Sequence, residues 1–380
     1  MKKVALLKND KICYGSLIYY LERIGEALNS FGVETEVVEC IDEAFVMQKW
    51  DGVIGINQET LSVQLEDGAF LFDFLQCPIL ALIVDSPYHH DRLLRAHPNN
   101  MHLICVDKGH VDYAQNYYGP FKSVDMGYVL GSMREPIPYN ERTIDVLFTG
   151  TRADIEGICS KVQAHPQKWV RELFEYLVAA GMSCPNIATE KQVLYYFAKR
   201  GMQISKEDYK LAMATAGTYA EFYLRGYYRE RILSILLDSG IPVTVVGDGW
   251  NEFADKHPNN LTLCKSVDFS ETAEFMANAK VVLNVMPWFK DGLHERVPTS
   301  MHNGAVCVTD KSSYIEEYFA DGEEFVLYDL ARLDELPGKI NMLLENPRTA
   351  EKIAENGRKK ALNTYTWNNV VKERILPYIL

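Results

Sequence analysis

Several familiar ligand signatures are missing from this chain. There is no G-x-G-x-x-G: the loop after the first apolar run reads "KNDKICYGS", and the one after "DVLFTG" reads "TRADIEG". Such glycines let a dinucleotide pyrophosphate approach the backbone, so their absence argues against a dehydrogenase. No G-x-x-x-x-G-K-[ST] occurs either, which argues against a P-loop nucleotidase. The eight cysteines include no C-x-x-C pair. Cys105 in "HLICVD" and Cys307 in "AVCVTD" lie within apolar runs, the habit of reduced, buried thiols rather than of a disulfide framework or zinc site.

Long hydrophobic runs are lacking as well. A stretch such as "CPILALIVD" is strand-length, far short of the roughly 20 residues a membrane span needs. The start, "MKKVALLKND", carries two lysines but no long apolar core, so it reads as a first strand and not a signal peptide. These features together give a cytoplasmic reading. Positive charge is short too: 39 Lys and Arg stand against 52 Asp and Glu, a formal net charge of -13. That argues against a nucleic-acid backbone as the partner and, less strongly, against docking on anionic lipid. Short-period repeats and low-complexity segments are absent.

What remains is an ordinary globular composition, 47% hydrophobic and 24% charged over 380 residues, long enough for two domains. The pattern alternates strand and helix twice. The first series runs "KKVALLK", the helix "SLIYYLERIGEALNSFG" closed by Gly32, "VETEVVEC", "DGVIGIN", a helix around Leu65 to Leu75, "PILALIVD", "MHLICVD" and "SVDMGYV". A polar, proline-containing break follows near Pro136 to Thr143. The second series opens with "IDVLFTGT", passes through a long helical stretch, and resumes with "IPVTVVG", "NNLTLCKS", "AKVVLNVMPW", "GAVCVTD" and "EFVLYD". Repeated strand–helix–strand units predict parallel, doubly wound α/β sheets. The expected division is 1–140, 141–365 with a helical insertion over about 153–225, and a C-terminal helix over 366–380 returning to the first domain. Ligands in such folds bind at the carboxyl ends of the strands, here in a cleft between two facing domains.

The stretch "DGLHERVPTSMHNGAVCVTD", Asp291 to Asp310, joins a strand end to the next strand through a short helix. Pro298 suits the first turn of that helix, and Thr299 and Ser300 offer hydroxyls and backbone N–H groups. A helix start is an anion site, and His294 and Arg296 could add charge-assisted donors. The competing reading makes His294, Glu295 and Arg296 a solvated ion pair. The position at a strand end favours the site. In "PVTVVGDGWNEF", Gly247 and Gly249 around Asp248 permit a tight turn, and Trp250 is either a stacking face for a base or a core residue. In "LFTGTR", Gly150 and Thr151 form a small-residue turn open to phosphate oxygens. In "YLRGYYRERILSIL", Arg225, Arg229 and Arg231 could reach a diphosphate or pair with the acidic surface.

The order "LFTGT…RERILSIL…PVTVVGDGW…AKVVLNVMPW…GLHERVPTSMHNGAVCVTD…EEFVLYD" resembles the nucleotide-binding half of GT-B glycosyltransferases of the group 1 type, and within them the CgeB-like (spore maturation protein) branch. The match is good over about 240–330 and looser over 144–240. "LIVDSPYHH" and "HLICVDKGHVDYAQNYY" resemble the same branch in the first half. The resemblance implies a nucleoside-diphosphate sugar held by the second domain, a protein or glycan acceptor held by the first, and no cofactor or metal. Group 1 enzymes often open the crossover helix with a ribose-binding glutamate, eight residues after another acidic residue. Here Asp291 holds the first place and Thr299 the second, so Glu295 or Asp248 would have to supply the ribose contact.

Sugar transfer with inversion also needs a base on the acceptor side. Candidates lie at first-domain strand ends: Asp10, Asp85 with His89 and His90, Asp107 and His110. Asp85 is preferred, with His89 beside it; the alternative makes Asp85 a turn or cap residue next to Pro87. The adjacent pair His89-His90 invites a zinc reading, but neighbouring side chains diverge and no spaced third histidine follows. Other functional readings are a nucleotide-sugar epimerase on the same architecture and a degenerate, partner-binding transferase. The aromatics of the insertion, as in "VLYYFAKRG" and "TYAEFYLRGYY", either pack its helices or form an acceptor or homodimer surface.

Overall fold

The computed structural model describes residues 2–8, 12–64 and 68–380. The chain folds as two compact units, Met1–Gly131 with Thr364–Leu380, and Ser132–Asn363.

The first unit is built on β1 (Lys3–Leu7), β2 (Glu34–Val38), β3 (Gly52–Ile56), β4 (Ile79–Ile83), β5 (Met101–Cys105) and β6 (Ser123–Met126). They pair in parallel in the order β2-β1-β3-β4-β5-β6. β3, β4 and β5 are buried along their whole length, as expected of a parallel sheet covered on both faces. The helix Ser16–Ser30 buries the stripe Leu17, Leu21, Ile24 and Leu28, and Gly32 ends it in the left-handed conformation at φ 79°. The helix Trp367–Arg374 is capped by Thr366 and sets the Trp367 ring 5.9 Å from that of Tyr20. The helix expected around Leu65 to Leu75 is displaced: a helix spans Asn57–Leu61, directly after β3, and a single 3-10 turn spans Leu71–Phe74. Gly68, at φ 87°, interrupts helical continuation, and residues 65–67 lie outside the described residues.

The second unit contains β7 (Ile144–Thr149), β8 (Val243–Val246), β9 (Leu261–Cys264), β10 (Ala279–Asn284), β11 (Val306–Asp310) and β12 (Val326–Tyr328). The order is β12-β11-β10-β7-β8-β9, again parallel throughout. Between β7 and β8 lie the helices Ile155–Gln163, Lys168–Ser183, Thr189–Ala198, Lys206–Ala212 and Thr218–Asp238, the last two joined by a π-helical turn over Met213–Gly217. Both units are thus doubly wound α/β sheets. In each, the strand order reverses beside the first strand, between β1 and β3 and between β7 and β10. In doubly wound sheets the ligand crevice opens at that reversal, at the carboxyl ends of the strands.

Candidate functional site

In the second unit the reversal point is occupied by one side chain. Arg296 donates from Nε to Thr149 Oγ1 at 2.9 Å and from a terminal nitrogen to Asn284 Oδ1 at 2.9 Å. Thr149 is the last residue of β7 and Asn284 the last of β10. Asn284 spends its amide nitrogen on Thr309 Oγ1 at 2.9 Å, and its carbonyl accepts from the Tyr328 hydroxyl at 2.8 Å. Every member of this network is buried, so each donor and acceptor needs the partner it has.

Two further arginines come from the long helix Thr218–Asp238. Arg225 pairs with buried Glu221 at 2.9 Å and lies 3.9 Å over the Trp288 ring. One turn on, Arg229 lies 5.8 Å from the Trp288 centroid and 5.8 Å from that of Phe148, whose ring is also 5.9 Å from Arg296. Arg229 is only 9% exposed. It donates to the Thr151 carbonyl at 3.0 Å, its Nε has no partner, and among the described residues it forms no ion pair with a carboxylate. Burial first, then the charges of Arg225 and Arg296, push its pKa well below the usual arginine value.

His294 completes the group. Its Nδ1 accepts from the Arg296 backbone N–H at 3.2 Å, which places the ring proton on Nε2. Burial, then the charges of Arg296, Arg229 and Arg225, hold it well below the ordinary histidine range. The ring is therefore neutral, and at 3.9 Å from Glu295 Oε1 it forms no ion pair. The solvated ion pair considered for His294, Glu295 and Arg296 does not exist: Arg296 is buried and points into the sheet end, and burial raises the Glu295 carboxyl.

The crossover helix Arg296–His302 differs from expectation. Its first N–H groups are not open to an anion: Arg296 N–H binds His294 Nδ1, Val297 N–H binds the His294 carbonyl at 3.0 Å, Pro298 has none, and Thr299 N–H binds the Glu295 carbonyl at 3.1 Å. The Thr299 hydroxyl bonds back to the Glu295 carbonyl at 2.7 Å, and Ser300 to that of Val297 at 2.9 Å, the usual behaviour of hydroxyls inside a helix.

The glycine turns after β7 and β8 lock together. Gly150 N–H donates to the Val246 carbonyl at 3.0 Å, and the indole of Trp250 donates to the Gly150 carbonyl at 2.8 Å. Trp250 is 1% exposed and packs edge-on against Phe148 and Phe253. It is a core residue that props up the Gly150 turn, and it offers no free face to a base. Asp248 is exposed, and its carbonyl accepts from Arg152 N–H at 2.9 Å. A cavity of about 430 Å³ opens beside these turns, lined by Arg152, Asp154, Glu156, Gly249 and Glu252 among others. Arg231 lies apart: two helical positions from Arg229 is a rotation of about 200°, and it is exposed, 5.9 Å from the Tyr227 ring.

The structure therefore gathers Gly150, Thr151, Arg229, His294 and Arg296, and leaves out Arg231, the Trp250 face and the Thr299 and Ser300 hydroxyls. Sequence reasoning missed Asn284 and Trp288. The signal for Asn284 was there: one polar residue ends the otherwise apolar "VVLN".

In the first unit, Asp85 follows β4, half-buried, and accepts from Asn57 Nδ2 at 3.2 Å. His89 lies in the 3-10 turn Pro87–His90, its ring edge-on to Tyr88 at 5.0 Å. Asp107 caps the helix Lys108–Tyr117, accepting from His110 N–H at 3.2 Å. Asp10 lies outside the described residues. Among the described residues no group of three or more His, Cys, Asp or Glu side chains is arranged to hold a metal, and no helix is long and apolar enough to cross a membrane.

Residues 229–375 match a family model described as "Glycosyl transferase-like". A 109-residue stretch is 28% identical to MMP alpha-(1->4)-mannosyltransferase of Mycolicibacterium hassiacum, covering 28% of this chain and 26% of that protein. The chain thus matches about a quarter of that relative's length. Among solved structures, sucrose-phosphate synthase from Thermosynechococcus elongatus is similar over 100% of this chain and 98% of its own, with TM-score 0.57 and 11% identity. Anabaena Alr3699/HepE in complex with UDP and glucose is similar over 98% of both chains, with TM-score 0.56 and 12% identity. The two doubly wound units are those of the GT-B fold, and residues 229–375 are similar to a glycosyl transferase-like family.

Proposed function

We propose that the chain transfers a sugar from a nucleoside-diphosphate donor to a protein or glycan acceptor without a metal, as a group 1 glycosyltransferase of the CgeB-like branch. One observation carries this reading. Arg229 is buried among like charges with no carboxylate counter-ion among the described residues, so the site is electrostatically incomplete until an anion enters. A diphosphate supplies the missing charge. The UDP in the complex of Alr3699/HepE supports a uridine nucleotide.

Arg225, Arg229 and Arg296 bind the donor diphosphate and stabilise the charge that grows on it as the glycosidic C–O bond breaks. His294, neutral, donates from Nε2 to the same oxygens. Glu295, whose carboxylate lies 3.3 Å from Thr299 Oγ1, takes the ribose hydroxyls in place of the helix-opening glutamate. In the first unit Asp85 accepts the proton of the acceptor hydroxyl while that oxygen bonds to the anomeric carbon, and the nucleoside diphosphate departs.

The test is thermal shift with UDP, GDP and dTDP, run alongside Arg229→Met. A ligand that binds only the folded state raises its apparent stability by mass action. The expected result is a shift with UDP that Arg229→Met abolishes. No shift with any nucleoside diphosphate would sink the reading. Conversion of a UDP-sugar to its epimer, with no transfer, would replace it by an epimerase.

A further inference from the structure

At the reversal point of the first sheet stands a strained asparagine. Asn57 directly follows β3 and is 4% exposed. Its φ is 57°, a left-handed conformation that side chains other than glycine rarely adopt and that asparagine tolerates best. Both ends of its amide are engaged. Oδ1 accepts from Val84 N–H at 3.1 Å, and Nδ2 donates to Asp85 Oδ2 at 3.2 Å. Among the described residues Asp85 Oδ1 has no hydrogen-bond partner. Glu59, two residues on, has its carboxyl raised by partial desolvation and by the Asp85 charge, so Asp85 stands near a second carboxylate.

We infer that Asn57 is the positioning residue of the acceptor side: its left-handed backbone and split amide hold one oxygen of Asp85 and leave the other directed to the acceptor hydroxyl. The inference rests on the reading of Asp85 as proton acceptor. The residue type follows from the geometry. Glycine would adopt this backbone but could not hold the carboxylate. Aspartate would hold the backbone but face Asp85 with a like charge. Strain kept at a strand end beside a crevice is the pattern of a functional position.

The experiment compares Asn57→Gly and Asp85→Asn with wild type. The readouts are UDP release from UDP-glucose, UDP thermal shift and a crystal structure of Asn57→Gly. Glycine accepts the backbone angle, so this variant folds, and its UDP shift stays at the wild-type value because the nucleotide site lies in the other unit. Turnover is expected to fall at least about 10-fold at unchanged KM for UDP-glucose, with the Asp85 carboxylate displaced. Asn57→Gly turning over like wild type beside an inactive Asp85→Asn overturns the positioning role alone. Wild-type turnover in Asp85→Asn overturns the reading of Asp85, and this inference with it. Should UDP-glucose not be turned over by the wild type, the crystal structure decides: an unmoved Asp85 carboxylate overturns the inference.

Discussion

The carbonyl oxygen of Gly150 lies 2.3 Å from where a Cβ on Gly247 would stand. The two strand-end turns are therefore packed backbone to backbone, and Gly247 also has φ 154°, a glycine conformation. Gly247→Ala must push the turns apart. The expected cost is about 2–4 kcal/mol of stability, from the clash and the backbone strain together. Urea denaturation measures it, and a loss under about 0.5 kcal/mol would show that the turns move freely.

Arg229→Met should separate stability from binding. Removing a buried, unpaired cation that faces two like charges leaves the ligand-free protein at least as stable, by roughly 1 kcal/mol or more. Affinity for UDP should fall by at least about 10-fold, the loss of one strong charge-assisted contact. Calorimetric titration and thermal denaturation check the two signs. A variant that is less stable without ligand would mean that Arg229 already has its counter-charge.

Trp250→Phe tests the placement of the indole. Losing the bond to the Gly150 carbonyl costs about 1–2 kcal/mol, since it leaves a buried acceptor unpaired. UDP affinity measured well below the melting temperature should stay within about twofold. A large loss of affinity at unchanged stability would return Trp250 to a base-stacking role.

His294 and Asp310 give stability opposite pH dependences. His294 stays neutral in the folded chain while the unfolded chain protonates near 6.5, so its contribution is present above that pH and is lost on acidification. Asp310 is pushed up to about 6 by burial, from 3.8. Its contribution is full below 3.8 and is lost as pH rises through about 6. His294→Gln should therefore lose less stability than wild type between pH 7 and about 5, and Asp310→Asn should lose more between pH 6 and about 4. Melting temperature against pH reads both. Parallel curves for all three proteins would contradict the two burial effects.

Much of this was legible along the chain. Apolar runs of strand length alternating with amphipathic helices required parallel sheets, and the missing glycine fingerprints removed the commonest nucleotide folds. The loop "GLHERVPTS" stood out because titratable residues fell between a strand and a helix. These are local patterns, and local patterns survive in one dimension.

The assembly of the site was not local. The reversal point exists only once β10 has paired beside β7, and no spacing in the sequence states that pairing. Arg229 and Arg296 meet over Phe148 because a helix and a strand-end loop distant along the chain pack on one sheet. Helical rotation separates Arg229 from Arg231, which look equivalent in "RER". The helix start loses its open N–H groups to His294 and Pro298, so the proposed donor contacts fall to side chains. Sequence by itself determined the elements and the stretches able to carry chemistry. Tertiary structure decided which side chains share a buried, low-dielectric place, because burial and charge–charge distance depend on three-dimensional packing.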